Sequence, residues 1–197
     1  MQHIYLNKQK FLKTLENHAA WLKNKKTGKK ANFEECNFRG VALINRDLRH
    51  VNFKNTDFRG SDLLGSDFSN ANFKRADFRG ADLSGSDFSN ADLRESKLHN
   101  ADMRWVTLVG ATLTYVNLDG ADLRWANMLN VDSELLDLSE TKLYKTKLPL
   151  VNFRVRFSPV SCGQAYTSKE RDAASRAVME HVYMCEFEEE IEESLPN

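Results

Sequence analysis

Through the middle of the chain, one position in every five is large and apolar. Counting in fives from Phe33, through Phe38, Leu43, Leu48, Phe53 and onward to Phe153, twenty-four of 25 residues are Phe, Leu or Met, and Ser133 is the exception. Two residues before each stands a small or β-branched residue, such as Ala31, Cys36, Val41, Val51 or Thr56, with Arg46 and Leu136 as departures. A period of five fits neither the 3.6 residues of a helical turn nor the two of a long strand. The chain must therefore turn a corner every five residues, with the central residue i and residue i−2 facing inward. Seven of the nine glycines fall at i+2, the natural corner.

The number of sides is also legible. Residues 51–70 and 71–90 are identical at 15 of 20 positions, so four pentads make one unit. Four short sides per coil describe a square solenoid whose coils stack through backbone hydrogen bonds. At ~4.8 Å between stacked strands, about six coils give a rod roughly 30 Å long. Ser133 and Leu136 break the core pattern, yet the register resumes at Leu138, which predicts a local bulge there.

Pentads such as Ala71-Asn72-Phe73-Lys74-Arg75, Ala81-Asp82-Leu83-Ser84-Gly85 and Ala121-Asp122-Leu123-Arg124-Trp125 resemble the A(D/N)LXX signature of pentapeptide-repeat proteins. The resemblance implies an all-β solenoid, a right-handed quadrilateral β-helix with Leu and Phe ladders inside. Relatives of that kind include quinolone-resistance proteins that mimic DNA and bind type II topoisomerases, immunity proteins against gyrase poisons, and other protein-binding regulators. A fold shared by such different proteins does not select among their functions.

Solenoid ends expose open backbone edges and need covers, so helical caps are expected at both ends. Residues 1–30 read as a basic N-terminal capping helix, with Phe11, Leu12, Leu15, His18, Ala19 and Leu22 at helical spacing and Gly28 available to end it. The pattern His18-x-x-Trp21-Leu22 is similar to helices that precede the repeats in other family members. Residues 31–155 are the repeat domain, and 156–197 read as a C-terminal helix with an acidic tail. In that last segment Thr167 and Glu170 have capping-box spacing, and Ala174, Ala177, Val178, His181, Val182 and Cys185 trace an apolar face.

Charge changes this picture by its distribution. The 28 basic and 28 acidic residues cancel. The first thirty residues carry eight lysines against Glu16, residues 31–155 have 16 bases against 18 acids, and the remainder four against nine. A neutral total excludes the uniformly basic surface of a non-specific nucleic-acid binder. No apolar run is long enough to span a membrane and the first residues lack a signal-like core, so a cytoplasmic protein is expected. Cys36, Cys162 and Cys185 cannot form a disulfide framework. Only His181 and Cys185 have helical ligand spacing, which is too few for a metal. The histidines fall in unrelated registers and no nucleophile or phosphate-binding motif occurs. No catalytic residue, cofactor or metal is expected.

Stacking the sequence by twenty turns it into exterior columns. Arg39, Arg59 and Arg79 run beside Lys54, Lys74 and Arg94 as a basic side, while Asp47, Asp67, Asp87 and Asp62, Asp82, Asp102, Asp122 form acidic columns. Like charges in one column repel, so each column needs relief from solvent, salt or cross-neighbours such as Asp57 and Asp77 beside the arginines. Asp at i−1 has a local use, the support of a backbone turn, and an alternative one, a DNA-like acidic face, which Arg46, Arg49, Arg104 and Arg124 interrupt. After residue 100 the outward positions become apolar: Trp105, Val109, Tyr115, Trp125, Leu129, Leu135, Tyr144 and Leu150. Such a surface needs a cover, from the C-terminal helix through Val178 and Val182 or from a second subunit. The reading is a non-catalytic module that docks a protein partner, with a homodimer formed through the C-terminal region and with no direct contact to nucleic acid or membrane. The alternatives are a DNA mimic that binds a type II topoisomerase or another DNA-binding enzyme through Asp62, Asp82, Asp102 and Asp122, and a phage or host-manipulating inhibitor.

Overall fold

A computed structural model describes residues 7–133, 136–148 and 155–156. From Ala31 each pentad contributes one bridge-forming residue at i−1, the core residue i and a two-residue turn. Parallel bridges join the i−1 residues to the position twenty later, from Asn32↔Asn52 to Asn127↔Lys147, with Asn117 as the exception. One coil is therefore four pentads, and each coil rests on the next through bonds such as Phe53 N–H to Asn72 O and Phe73 N–H to Asp92 O, both 2.7 Å.

Four inward columns follow. The first wall carries Phe33, Phe53, Phe73, Leu93 and Leu113, and the second Phe38, Phe58, Phe78, Leu98, Leu118 and Leu138, all buried. The third has Leu43, Leu63, Leu83, Met103, Leu123 and Leu143, and the fourth Leu48, Phe68, Phe88, Leu108, Met128 and Leu148, also buried. Rings one coil apart lie nearly parallel, Phe53 on Phe73 at 5.0 Å and 7°, Phe58 on Phe78 at 5.1 Å and 3°. Rings on adjacent walls meet edge to face, as Phe53 and Phe58 do at 5.2 Å. Both arrangements suit the aromatic quadrupole. Most hydroxyls at i−2 are buried and paired: Thr56, Ser66, Ser86 and Thr146 each donate to the core carbonyl 23 residues earlier, while Ser96 Oγ is buried without a partner. Arg46, the one charged residue at i−2, is exposed instead, and its N–H donates to Ser66 Oγ.

The corners have positive φ. Asn45, Asn55, Asn70, Asn90, Asn100 and Asn130 share this conformation with the glycines, as do the bulkier Trp105 (φ 55°), Tyr115 (φ 60°) and Trp125 (φ 59°). Asparagine tolerates it best among non-glycine residues. At Gly110 a Cβ would lie 2.5 Å from Asn90 Oδ1, because the asparagine of the previous coil leans into the space above it.

The regular step fails where the bulge was expected. Gly110 N–H bonds Leu129 O, nineteen residues on, but Gly120 N–H reaches Glu140 O, twenty on. Strand β1 (Leu136–Asp137) pairs in parallel with β2 (Val155–Arg156), Leu136 opposite Val155, a step of nineteen where the bridges elsewhere step by twenty. Ser133 takes a core position with its Oγ unpartnered.

Helix α1 (Lys8–Lys23) lies against the first coil. Asn7 caps it, Oδ1 accepting from Lys10 N–H at 2.8 Å. Phe11 packs on Phe33 at 5.4 Å and on Phe38 at 5.5 Å. His18 is buried between helix and coil, Nδ1 accepting from Ala31 N–H at 3.2 Å and Nε2 within 3.0 Å of Arg49 O. The helix stops before Gly28, with Asn24 as its C-cap. Gly28 serves the return instead, at φ 68°, where a Cβ would lie 2.1 Å from Asn17 O. The expected C-terminal helix, with Val178, Val182 and the Cys162, His181 and Cys185 group, lies outside the described residues.

Candidate docking surface

The wall chemistry begins with the residue at i−1. Its side-chain oxygen accepts from the N–H at i+1, as Asp57 does from Arg59, Asn72 from Lys74 and Asp87 from Ser89. Where i+1 is arginine, the guanidinium folds back on the same carboxylate. Arg49, Arg59, Arg94 and Arg124 each make two guanidinium bonds to the aspartate two residues earlier, and Arg79 and Arg104 make three, with Arg124 Nε at 2.8 Å and Nη2 at 2.7 Å from Asp122. Burial raises the carboxyl pKa of Asp77, Asp92, Asp102 and Asp122, but the arginine bonds outweigh it and hold these groups below their usual range. Lys54 pairs with Glu34, and Lys74 and Arg75 both pair with Glu95.

These pairs revise the charge map. The basic columns occupy two walls, with Arg39, Arg59 and Arg79 on the second and Lys54, Lys74 and Arg94 on the first. Most of these cations are matched by a carboxylate. In the Asp62, Asp82, Asp102 and Asp122 column, the two later members are held by Arg104 and Arg124. Asp62 accepts from Leu64 N–H, and Asp82 from Ser84 N–H and Oγ.

The third wall also carries the aromatic residues. Trp105 and Trp125 stand one coil apart at the corner after it and stack at 4.8 Å and 7°. Tyr144 meets Trp125 edge to face at 5.3 Å. Trp105 remains 53% exposed, whereas Trp125 and Tyr144 are half-buried by their neighbours. The remaining predicted contacts are dispersed. Val109 and Leu129 are half-buried on the fourth wall, and Tyr115, 76% exposed, projects from the corner after the first. Leu135 and Leu150 lie outside the described residues.

The model for the pentapeptide repeat region matches residues 31–106, and that for pentapeptide repeats matches 106–130 and 117–154. The chain belongs to the pentapeptide-repeat family. Its members form right-handed quadrilateral β-helices. Among solved structures, a pentapeptide repeat protein from the thylakoid lumen of Arabidopsis thaliana is 28% identical, with a TM-score of 0.41, over 48% of this chain and 63% of its own. QnrB1, a plasmid-mediated fluoroquinolone resistance protein, is 23% identical with a TM-score of 0.38, over 59% of this chain and 66% of its own. HetL, involved in heterocyst differentiation regulation in the cyanobacterium Nostoc, is 20% identical with a TM-score of 0.31, over 72% and 81%. The chain thus spans just under two-thirds of the first two. No curated protein matches.

Within this pentapeptide-repeat rod, Asp57 and Asp77 do relieve the arginines beside them, and what the structure adds is the close two-point pairing of these arginines with the aspartates of their own wall. Their signal is the tripeptide Asp-core-Arg, as in Asp57-Phe58-Arg59 or Asp102-Met103-Arg104, which places both ends on one wall. Among the described residues no group of three or more His, Cys, Asp or Glu could hold a metal, and no helix is long and apolar enough to cross a membrane. An open depression of about 530 Å³ on the second wall, lined by His99, Asn100, Asn117, Asp119, Gly120 and Glu140, sits where the coil step changes.

Proposed function

We propose that this pentapeptide-repeat protein is a non-catalytic docking module that binds a protein partner through the third wall and its aromatic corner. One observation carries the reading. Trp105 and Trp125 stack on one another at positive-φ corners, a conformation that Gly or Asn takes at most other corners, and backbone strain of about 1–3 kcal/mol under bulky residues is characteristic of functional positions. Tryptophan is also the side chain most enriched among interface hot spots. A second copy of the chain is one partner for this surface, giving a homodimer through the C-terminal coils.

The second reading, DNA mimicry, draws on Asp62, Asp82, Asp67 and Asp87 in the earlier coils, but the arginine pairing of Asp102 and Asp122 shortens the acidic stripe. The two readings differ in their response to salt and to substitution. Docking through the aromatic corner predicts partner binding that Trp125→Glu abolishes and that changes little with salt, whereas mimicry predicts steep salt dependence. A supercoiling assay with gyrase separates them. Inhibition or drug protection lost when Asp62, Asp82, Asp102 and Asp122 are all changed to Asn would establish mimicry and overturn docking. Light scattering of the native protein and of Trp125→Glu tests the homodimer.

A further inference from the structure

The stack at the third corner is incomplete. Reading the corner column against the direction of the chain gives Lys145, Trp125, Trp105, Gly85, Gly65 and Asn45. One face of Trp105 is covered by Trp125. Its other face looks along the rod toward Gly85, where a Cβ would meet nothing within 4 Å. One coil further, Asn45 leans over Gly65, its Oδ1 lying 2.3 Å from where a Gly65 Cβ would be. Two coil rises of ~4.8 Å therefore separate the Trp105 ring from the Asn45 amide, which leaves room for one planar group between them.

Arg104 does not fill that space. Its guanidinium carbon lies 5.5 Å from the Trp105 centroid, and Arg124 holds the same relation, 5.7 Å, to Trp125. At such distances neither guanidinium is in the contact range of a stacked plane, about 3.5–4.0 Å, so the Trp105 face stays open to a closer group. Arg104 is moreover engaged with Asp102.

The surroundings of the gap select its occupant. Asp82 precedes the Gly85 corner on the third wall and Asp87 follows it on the fourth, and neither makes an ion pair among the described residues, although Asp82 acts on Arg104 at longer range. Asn45 Oδ1 adds an acceptor at the far end. Leu64 and Ile44, 41% and 40% exposed, continue the same wall as an apolar strip. A flat cation that stacks through its face and donates from its edges fits these groups, and its aliphatic stem would lie on the leucine and isoleucine.

We infer that the gap between Trp105 and Asn45, over Gly85, receives an arginine side chain of a partner protein. This deepens the docking reading and rests on it. The slot takes one guanidinium, with Trp105 as its floor and the Asp82 and Asp87 carboxylates at its flanks.

The test uses the full chain and two probe peptides, tetra-arginine and tetra-lysine, followed by the NMR signals of the three indole N–H groups. Tetra-arginine is expected to move the Trp105 signal while leaving Trp21 in place, and to bind about fivefold more tightly than tetra-lysine, since guanidinium stacks where ammonium does not. Gly85→Asn fills the gap with a residue that six other corners already carry, so it is expected to preserve the melting temperature and to cut tetra-arginine binding by about fivefold. Equal binding of the two peptides, or indifference to Gly85→Asn with the fold intact, would overturn the slot, because attraction to scattered carboxylates explains both. Preferential binding of a phenylalanine peptide would overturn it in favour of an aromatic occupant. Should Trp125→Glu abolish partner capture while Gly85→Asn does not, the docking reading survives and the slot alone fails.

Discussion

The two halves of the rod are built from the same pentad and place their aromatic rings on opposite sides of it. Up to Phe88, eight phenylalanines point inward and stack along the axis, and the corners are mostly Gly, Asn or charged. From Leu93 to Leu148 the core is almost wholly Leu and Met, and the rings move outside, to Trp105, Tyr115, Trp125 and Tyr144. The interior tolerates this exchange because Leu, Met and Phe all fill a pentad centre. The exterior does not gain from it, since two tryptophans and a tyrosine occupy strained corners there. The ring contacts of the core are concentrated in the first half, and the second half carries its rings on the outer surface.

The comparison breaks if the outer rings matter to folding as much as the inner ones. Phe73, fully buried among stacked and edge-on rings, should lose about 3–5 kcal/mol as Phe73→Ala, whereas Trp105→Ala, which forfeits one exposed stack, should lose at most about 1.5 kcal/mol; chemical denaturation measures both. Next in size is His18→Ala, which leaves Ala31 N–H and Arg49 O unpaired beneath α1 and should cost about 1–3 kcal/mol.

Burial also pushes the His18 imidazole below its usual 6.5, against the bond to Arg49 O that favours its charge. The folded state therefore binds fewer protons than the unfolded chain, and stability should fall as pH drops below 6.5. His18→Ala should remove its own share of that step and leave the share of His50, whose imidazole burial also lowers. A separate loss belongs to the depressed carboxyls of Asp77, Asp92, Asp102 and Asp122, whose contribution is complete above the ordinary aspartate range and disappears as pH falls through their lowered values. Smallest, and opposite in sign, is Tyr115→Asn. This ring is exposed, and relief of its positive φ should raise stability by about 1 kcal/mol in the same denaturation experiment.

The core was legible because a solenoid ties each inward position to a fixed count along the chain. Phe33 through Leu148 could be placed without tertiary information, and the break near Ser133 was visible for the same reason. The outer surface was less so. A column count puts Trp105 and Trp125 together and Tyr115 at another corner, but it does not show that one ring buries the other. The arginine pairing was legible only as charge relief by neighbours such as Asp57 and Asp77, because columns compare residues twenty apart, while Asp122 and Arg124 are two apart and their two-point contact shows only once the wall is extended. His18 was read as one apolar-face residue among several, and nothing in its spacing announced two bonds to the first coil.

The regular advance of four pentads has a consequence for how such a rod changes length. Insertion of a whole coil would extend it by ~4.8 Å and leave every column aligned. Insertion of a single pentad would preserve the core equally well, since Leu, Phe or Met still points inward, yet everything downstream would rotate by a quarter turn. Trp105 would then stand over a different corner, no longer in line with Gly85, while the hydrophobic interior registered no difference. The sequence between two recognition elements thus acts as a dial as well as a spacer, and folding alone does not police its setting.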